Sequence, residues 1–388
     1  MGNPGIADLL SGLETLAIRI GRWIVIPLLV FSLTMSLYEL REEGRFIALM
    51  GRSILLLVGV DLFVIAIGIV VTMIFPMERI PIIIQEQSPY AVPDTIRDVA
   101  VQFPHNMFAI LVGDATFLLP VCIFSFFLGI GLSIERTNAK AVITLIDSLS
   151  RIFYAIAGLF SEIVGILIII FAASWTFRFY TVTQLTIFRN LMLSLAILGG
   201  ILGLVVFPLC LYLTRSRVHP WKVLYGTFAC ALAGFFSGDI NMTLPVMFRH
   251  SKESLGIRRC SNTVTLTLFA MFGRAGSALV AMMAFMVIVK SYSSLELPQT
   301  QLLAIALRTI LVSFSLALHP GDGAYVALTS LCQQYGRGYE GTYLVMKPMA
   351  FYLVAVGTCL DILIAVFASY AIAKKSALQE NRKISQFI

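Results

Sequence analysis

Four charged residues stand where apolar sequence normally excludes charge. Arg274 follows the run Leu268-Phe269-Ala270-Met271-Phe272, and Asp361 lies between Leu360 and Ile362. Asp239 and Asp322 sit in short polar breaks, Ser237-Gly238-Asp239-Ile240-Asn241 and Pro320-Gly321-Asp322-Gly323, inside two further apolar stretches. The interval from Asp239 to Asp322 nearly equals that from Arg274 to Asp361, so a charge recurs in each break and in the segment after it. An unpaired guanidinium facing lipid costs several kcal/mol, which calls for a partner. Arg274 can grip a carboxylate through two parallel hydrogen bonds because its fork is planar and always charged. Two readings follow. In one, Arg274 binds an anionic group of a solute; in the other, it forms a buried pair with Asp361 or a break aspartate and fixes helix register. Asp239 and Asp322 are equally readable as turn residues, since Asp bonds nearby backbone N–H groups, or as groups facing a solute. Asn241, Thr243, Ser277 and Thr358 are the polar candidates beside them. Asp61 is also intramembrane, but nothing in the sequence places it near the breaks.

The elements that carry these residues are built for lipid. The chain has 388 residues, of which 59% are apolar and 13% charged, with a mean hydropathy of +0.91. Soluble domains carry about 25% charged residues. Seven spans meet the length of roughly 20 mostly apolar residues that a bilayer requires, at 13–40, 46–76, 107–134, 141–176, 187–213, 260–289 and 343–373. Stretches 220–248 and 302–333 differ, each being cut near its middle by the polar breaks at 236–245 and 319–323. Two interrupted segments in corresponding places, each followed by a full helix, are the sign of inverted repeats whose tips meet at the midplane. Irregular backbone survives there only when buried in protein or lining a cavity.

Cysteines 122, 210, 230, 260, 332 and 359 show no CxxC spacing, and the four histidines are far apart, so no metal site is expected. The net charge of +7 does not point to nucleic acid, because the basic residues cluster at the ends of apolar segments. Arg41, Arg45 and Arg52, then Arg136, Lys140 and Arg151, then Arg215 and Arg217, then Arg258 and Arg259, and finally Lys374 and Lys375 mark one face as cytoplasmic. The expected setting is a plasma membrane or bacterial inner membrane, with the N-terminus outside and the C-terminus inside. Asp8, Glu14, Arg19 and Arg22 interrupt the start, which does not read as a cleaved signal. Residues 78–98, acidic and proline-rich, read as an external linker.

Thr243-Leu244-Pro245-Val246-Met247, with Lys252-Glu253 and Gly256-Ile257 after it, resembles the descending arm of the first re-entrant hairpin in the dicarboxylate/amino acid:cation symporters, the family that includes the glutamate transporters. Pro320-Gly321-Asp322-Gly323-Ala324 is similar to the tip of the second hairpin, and Arg19-Ile20-Gly21-Arg22-Trp23 to the start of the family's second helix. The resemblance covers nearly the whole chain, without the family's first helix. It implies an all-α integral membrane protein of about seven transmembrane helices and two re-entrant hairpins, working as an elevator. It further implies a homotrimer, with scaffold helices mainly in 1–218, a transport domain in 219–375 and a cytoplasmic tail in 376–388. The implied activity is secondary transport of a small polar or charged solute such as a dicarboxylate or amino acid.

The departures fall on the chemistry. Where the family has Asn-Met-Asp-Gly-Thr, this chain has Gly273-Arg274-Ala275-Gly276-Ser277, so the sodium-liganding Asn and Asp are replaced at Gly273 and Ala275. The family's amine-binding Asp aligns with Val354, its carboxylate-binding Arg with Gly357 and a coupling-site Asn with Asp361, while Thr358 is retained. Fold and transport carry over; glutamate specificity and sodium coupling do not, and no cofactor is implied. The candidate site is thus Ser237, Gly238, Asp239, Asn241, Thr243, Arg274, Ser277, Pro320, Gly321, Asp322, Gly323, Thr358 and Asp361. The alternatives are an uncoupled or proton-coupled channel-like or receptor-like homologue. More remote is an intramembrane aspartyl protease, in which Asp239 and Asp322 would share one proton; the Tyr-Asp partner motif is absent.

Overall fold

The computed structural model describes residues 4–74, 79–80, 103–113, 115–181, 183–213, 220–292, 299–317, 323–336 and 338–380. The linker at 78–98 (apart from 79–80), Pro320, Gly321, Asp322 and most of the tail lie outside them. The described residues are helical throughout, with one isolated bridge between Ile257 and Gln379 near the chain's end.

Helix α1 (Pro4–Arg22) bends at Trp23 and Ile24 into α2 (Val25–Glu42), and the two form one span. Helix α3 (Phe46–Ile74) runs unbroken for 29 residues, roughly 44 Å, enough to cross the hydrocarbon core with tilt. The expected span at 107–134 is not one helix. A 3-10 turn (Met107–Val112) capped by the Asn106 side chain stops at Gly113, and α4 (Leu119–Ile134) restarts with Pro120 in its first turn, where the missing N–H does no harm. Six helices are therefore long and apolar enough to cross a membrane, and the 16-residue α4 falls short of that length. Helix α5 (Lys140–Thr181) is the longest. Helix α6 (Arg189–Ile201) passes through a π turn (Leu202–Val206) into α7 (Phe207–Leu213), at the point where Pro208 breaks the hydrogen-bond ladder.

The first interrupted stretch folds into α8 (Pro220–Ser237) and α9 (Ile240–Glu253), which pack on each other across a two-residue turn. The turn is narrower than the expected break at 236–245. Gly238 takes φ +66° and Asp239 caps α9, so Pro245 is accommodated inside the helix. The expected continuous helix at 260–289 is itself interrupted, because α10 (Arg259–Phe272) and α11 (Ala275–Tyr292) are separated by non-helical Gly273 and Arg274. Helices α12 (Gln299–Ser315) and α13 (Gly323–Tyr335) pack together as the second pair. A 3-10 turn (Thr342–Met349) then leads into α14 (Ala350–Lys375).

Burial sorts the helices into two groups. Helices α11 and α14 are covered on nearly all sides and form the centre, with α3, α8, α10, α12 and α13 against them. Helices α1, α2, α4 and α5 pack among themselves. Outer faces carry apolar stripes at helical spacing, including Trp221, Tyr225, Phe228 and Leu232 on α8 and Leu303, Leu307 and Leu311 on α12. Such stripes suit lipid, which is as apolar as they are.

The central approach is tightest at Gly276. A methyl there would meet the Asp361 backbone N at 2.9 Å and collide with Leu360 Cβ, neither of which can swing away. Gly276→Ala should therefore destabilise the protein by about 1–3 kcal/mol through overpacking. Gly165→Ala, in open space on α5, should be neutral or slightly stabilising. Thermal melts of both variants in detergent check this; equal melting temperatures would show that the contact between α11 and α14 is loose.

Candidate functional site

The interruption between α10 and α11 leaves the first N–H groups of α11 without intrahelical acceptors. Asp361, at the middle of α14 and fully buried, supplies one. The Ser277 backbone N–H donates to its Oδ1 at 3.0 Å and the Ser277 hydroxyl to its Oδ2 at 2.5 Å. A carboxylate at a helix N-terminus is further favoured by the helix dipole. Arg274, in the interruption and only 6% exposed, completes the group with its Nε 3.5 Å from Oδ2. That distance makes a charge pair without a hydrogen bond, and Nε has no hydrogen-bond partner among the described residues. The guanidinium lies against Gly323, the first residue of α13, where a Cβ would come within 2.7 Å of Nη2 and 3.0 Å of the Ser277 hydroxyl. Gly357 makes the same allowance for Ser277 and Ala324. The absence of a side chain at Gly357 is thus what lets α13 and α11 close on α14.

The tip between α8 and α9 joins this centre from another side. The Thr358 hydroxyl donates to the Gly238 carbonyl at 3.1 Å. Asp239 accepts from the N–H groups of Asn241 at 2.9 Å and Met242 at 3.4 Å, and its Oδ2 accepts from Arg22 Nε at 2.5 Å. Its turn role and its charge role are therefore simultaneous. Asn241 instead reaches away, donating to the carbonyls of Ala115 and Thr116 ahead of α4. Thr243 is fully buried and bonds back to Ile240 within its own helix. Ser237, Gly238, Asp239, Arg274, Ser277, Gly323, Thr358 and Asp361 are thus brought together; Asn241 lines the adjoining cavity while anchoring the α4 entry, and Thr243 is a helix-internal residue.

In front of this group opens a cavity of about 280 Å³. Its floor is the α8–α9 tip and Arg274, and its far wall is Ala350, Phe351 and Val354 at the start of α14. Glu14, Ile18 and Arg22 of α1 line it at intervals of four, one helical face. Glu14 accepts from Arg178 at 2.5 Å and from the Ser174 hydroxyl at 2.8 Å. Trp175 stands between Phe235 and Phe351, with ring centroids at 4.9 and 5.1 Å, and the Arg178 guanidinium lies 5.9 Å from the Phe351 centroid. Three arginines and two carboxylates therefore surround the space, with an aromatic wall on one side. Glu14, Arg22, Trp175, Arg178 and Phe351 were not among the residues expected at the site. The spacing of Glu14, Ile18 and Arg22, with charges inside an apolar run, is the signal that points to them.

Among the described residues, six membrane-length spans and an interrupted central helix beside a charged cavity make this a multi-pass membrane protein. No curated protein matches the chain. The family model described as the sodium:dicarboxylate symporter family matches residues 2–375, and the chain belongs to that family.

Proposed function

We propose that the protein carries a small organic anion or zwitterion, such as a dicarboxylate or an amino acid, through the cavity below α1, by an elevator movement in which the full sodium complement of the family takes no part. The observation that carries this reading is the cavity itself. It is bounded by a hairpin tip and an interrupted helix, lined by Arg22, Arg178 and Arg274 against Glu14 and Asp239, and of a size suited to a small solute. Free N–H groups at an interrupted helix serve anionic solutes in many transporters. Here Asp361 already occupies those of α11, so Arg274 is the cation left to face the cavity.

The elevator reading is supported by the two groups of helices. Helices α1, α2, α4 and α5 would form a scaffold and the remainder, including α3, the moving part. Across that boundary run Arg22 to Asp239, Arg249 to Glu162, Arg259 to Glu39 and Asp147, and Arg258 to Glu43. Assembly as a trimer around the scaffold belongs to the same proposal. Replacement of the sodium-liganding positions by Gly273 and Ala275 argues against the full ion set, because a hard cation needs several oxygens to replace its water.

The test is uptake into liposomes over dicarboxylates, amino acids and cationic solutes, with and without sodium and a proton gradient. Accumulation of an acidic solute is expected; uptake driven by more than one sodium ion per solute would refute the coupling part. A second measurement addresses Arg274 and Asp361. Arg274→Met or Asp361→Asn alone should each cost about 3–5 kcal/mol, because a partner is left buried and uncompensated. The double variant should then be less damaged than the sum, read as folded yield and melting temperature. Strict additivity would show that the two are not coupled. A third concerns the link from α1 to the hairpin tip. Hydrogen bonds to charged groups contribute about 1.5–3 kcal/mol, so Arg22→Gln should speed thiol labelling of a Ser237→Cys reporter by at least about tenfold. An unchanged rate would remove Arg22 as a latch.

A further inference from the structure

Asp61 is not among the residues that line the charged cavity and is used by none of the steps above. It sits on the inward stripe of α3 formed by Leu49, Ser53, Leu57, Asp61, Val64 and Gly68, and it is fully buried. Neither carboxyl oxygen has a hydrogen-bond partner among the described residues. The Ser313 side chain of α12 is the polar group beside it, and that hydroxyl too is buried without a partner. An ionised carboxylate held this way would carry a large desolvation penalty with the Ser313 hydroxyl as the nearby donor to offset it, whereas the neutral acid carries little.

Among the described residues no cation pairs with Asp61, and Arg274 between α10 and α11 is engaged with Asp361. Helix α3 packs against α2, α10, α11, α12 and α14. Of their charged groups, Arg259 of α10 is paired with Glu39 of α2 and with Asp147. Lys290 closes the far end of α11, and Arg308 of α12 lies over the Tyr335 ring. On α3 itself, Arg52 donates to the Ser376 hydroxyl. The other carboxylate near Asp61 is Asp361 of α14, itself held by Arg274 and Ser277. The cover over Asp61 is an arm of the second hairpin, so movement of that arm would exchange a dry apolar setting for a wet one.

We infer that Asp61 is a proton-carrying site: it is held as the neutral acid beneath α12, and it releases its proton to water when that arm moves, taking one up again from the opposite side. The proposal rests on the transport reading and supplies its coupling ion. The balance is one proton bound to a carboxylate oxygen on one face of the membrane and given to water on the other.

Two measurements separate this proposal from the function it rests on. The first needs no solute. Infrared spectra of purified protein at neutral pH should show a protonated-carboxyl carbonyl band that shifts in deuterium oxide and is missing from Asp61→Asn, whose side chain matches the neutral acid in shape. If the variant does not fold, the wild-type protein labelled with carboxyl-13C aspartate should show the band displaced. Absence of any such band overturns the proposal and leaves the transport reading standing. The second uses radiolabelled succinate and aspartate in liposomes with an inward proton gradient. The wild type should accumulate one of them, and Asp61→Asn should lose at least tenfold of that gradient-driven accumulation. A variant that still responds fully to the gradient overturns proton carriage by Asp61. A wild type that takes up neither solute counts against the transport reading, while the infrared band still decides whether Asp61 holds a proton.

Discussion

A carboxylate with none of its surface exposed keeps its charge inside a membrane helix only where donors meet it, and Asp361 finds its donors on a helix 84 residues earlier in the chain. The bond from Ser277 N–H exists because α11 starts afresh at Ala275, and α11 starts afresh because Gly273 and Arg274 leave the helical path. One carboxylate therefore ties the interruption of one membrane helix to the middle of another. Much else at the centre depends on that tie. Gly276 must be bare for α14 to approach, Gly357 must be bare for Ser277 and Ala324 to close on it, and Arg274 is brought to Gly323 by the same convergence.

The arrangement also changes what the interrupted helix is available for. In a chain with an empty half-helix terminus, partial positive charge is offered to a solute. Here an internal anion has taken that place, and the positive charge offered to the cavity has been moved to the Arg274 side chain. The hairpin tip shows the same substitution in miniature. Asp239 caps α9 from within while binding Arg22 from α1, so the local backbone and the link between helix groups use one carboxylate.

Much of this was legible in the chain. The membrane setting followed from a near absence of charge, and Arg274 and Asp361 stood out because nothing else in their runs resembled them. Gly238 and Asp239 announced a turn, and the turn is there. What was not legible depends on three-dimensional closeness. Glu14 and Arg22 looked like features of the chain's start, because their partners Arg178 and Asp239 lie more than 160 residues away. The break at Gly273 was hidden because a single glycine in an apolar run is compatible with a continuous helix; the Asp361 oxygens, which accept from Ser277 at the restart of α11, have no signature in the run itself. Pro245 misled in the opposite direction, since α9 runs through it even though a proline past the first turn leaves the Asn241 carbonyl without its helical donor. The 107–134 run looked continuous because apolar composition does not distinguish a 3-10 turn and a restart from one helix.

Trp175 lies on α5, while the rings it touches, Phe235 and Phe236 of α8 and Phe351 and Tyr352 of α14, belong to the other group of helices. Aromatic faces attract through many small, weakly directional contacts. Displacing one ring across another exchanges contacts of similar strength, so in the proposed movement this part of the boundary would act as a bearing surface. The ion pairs along the same boundary behave oppositely, since a guanidinium released from one carboxylate gains nothing until it meets the next. A boundary made of both is smooth between stops and firm at them. In that movement the resting positions would be set by the spacing of charges, and the friction by a single tryptophan and the four rings it meets across the boundary.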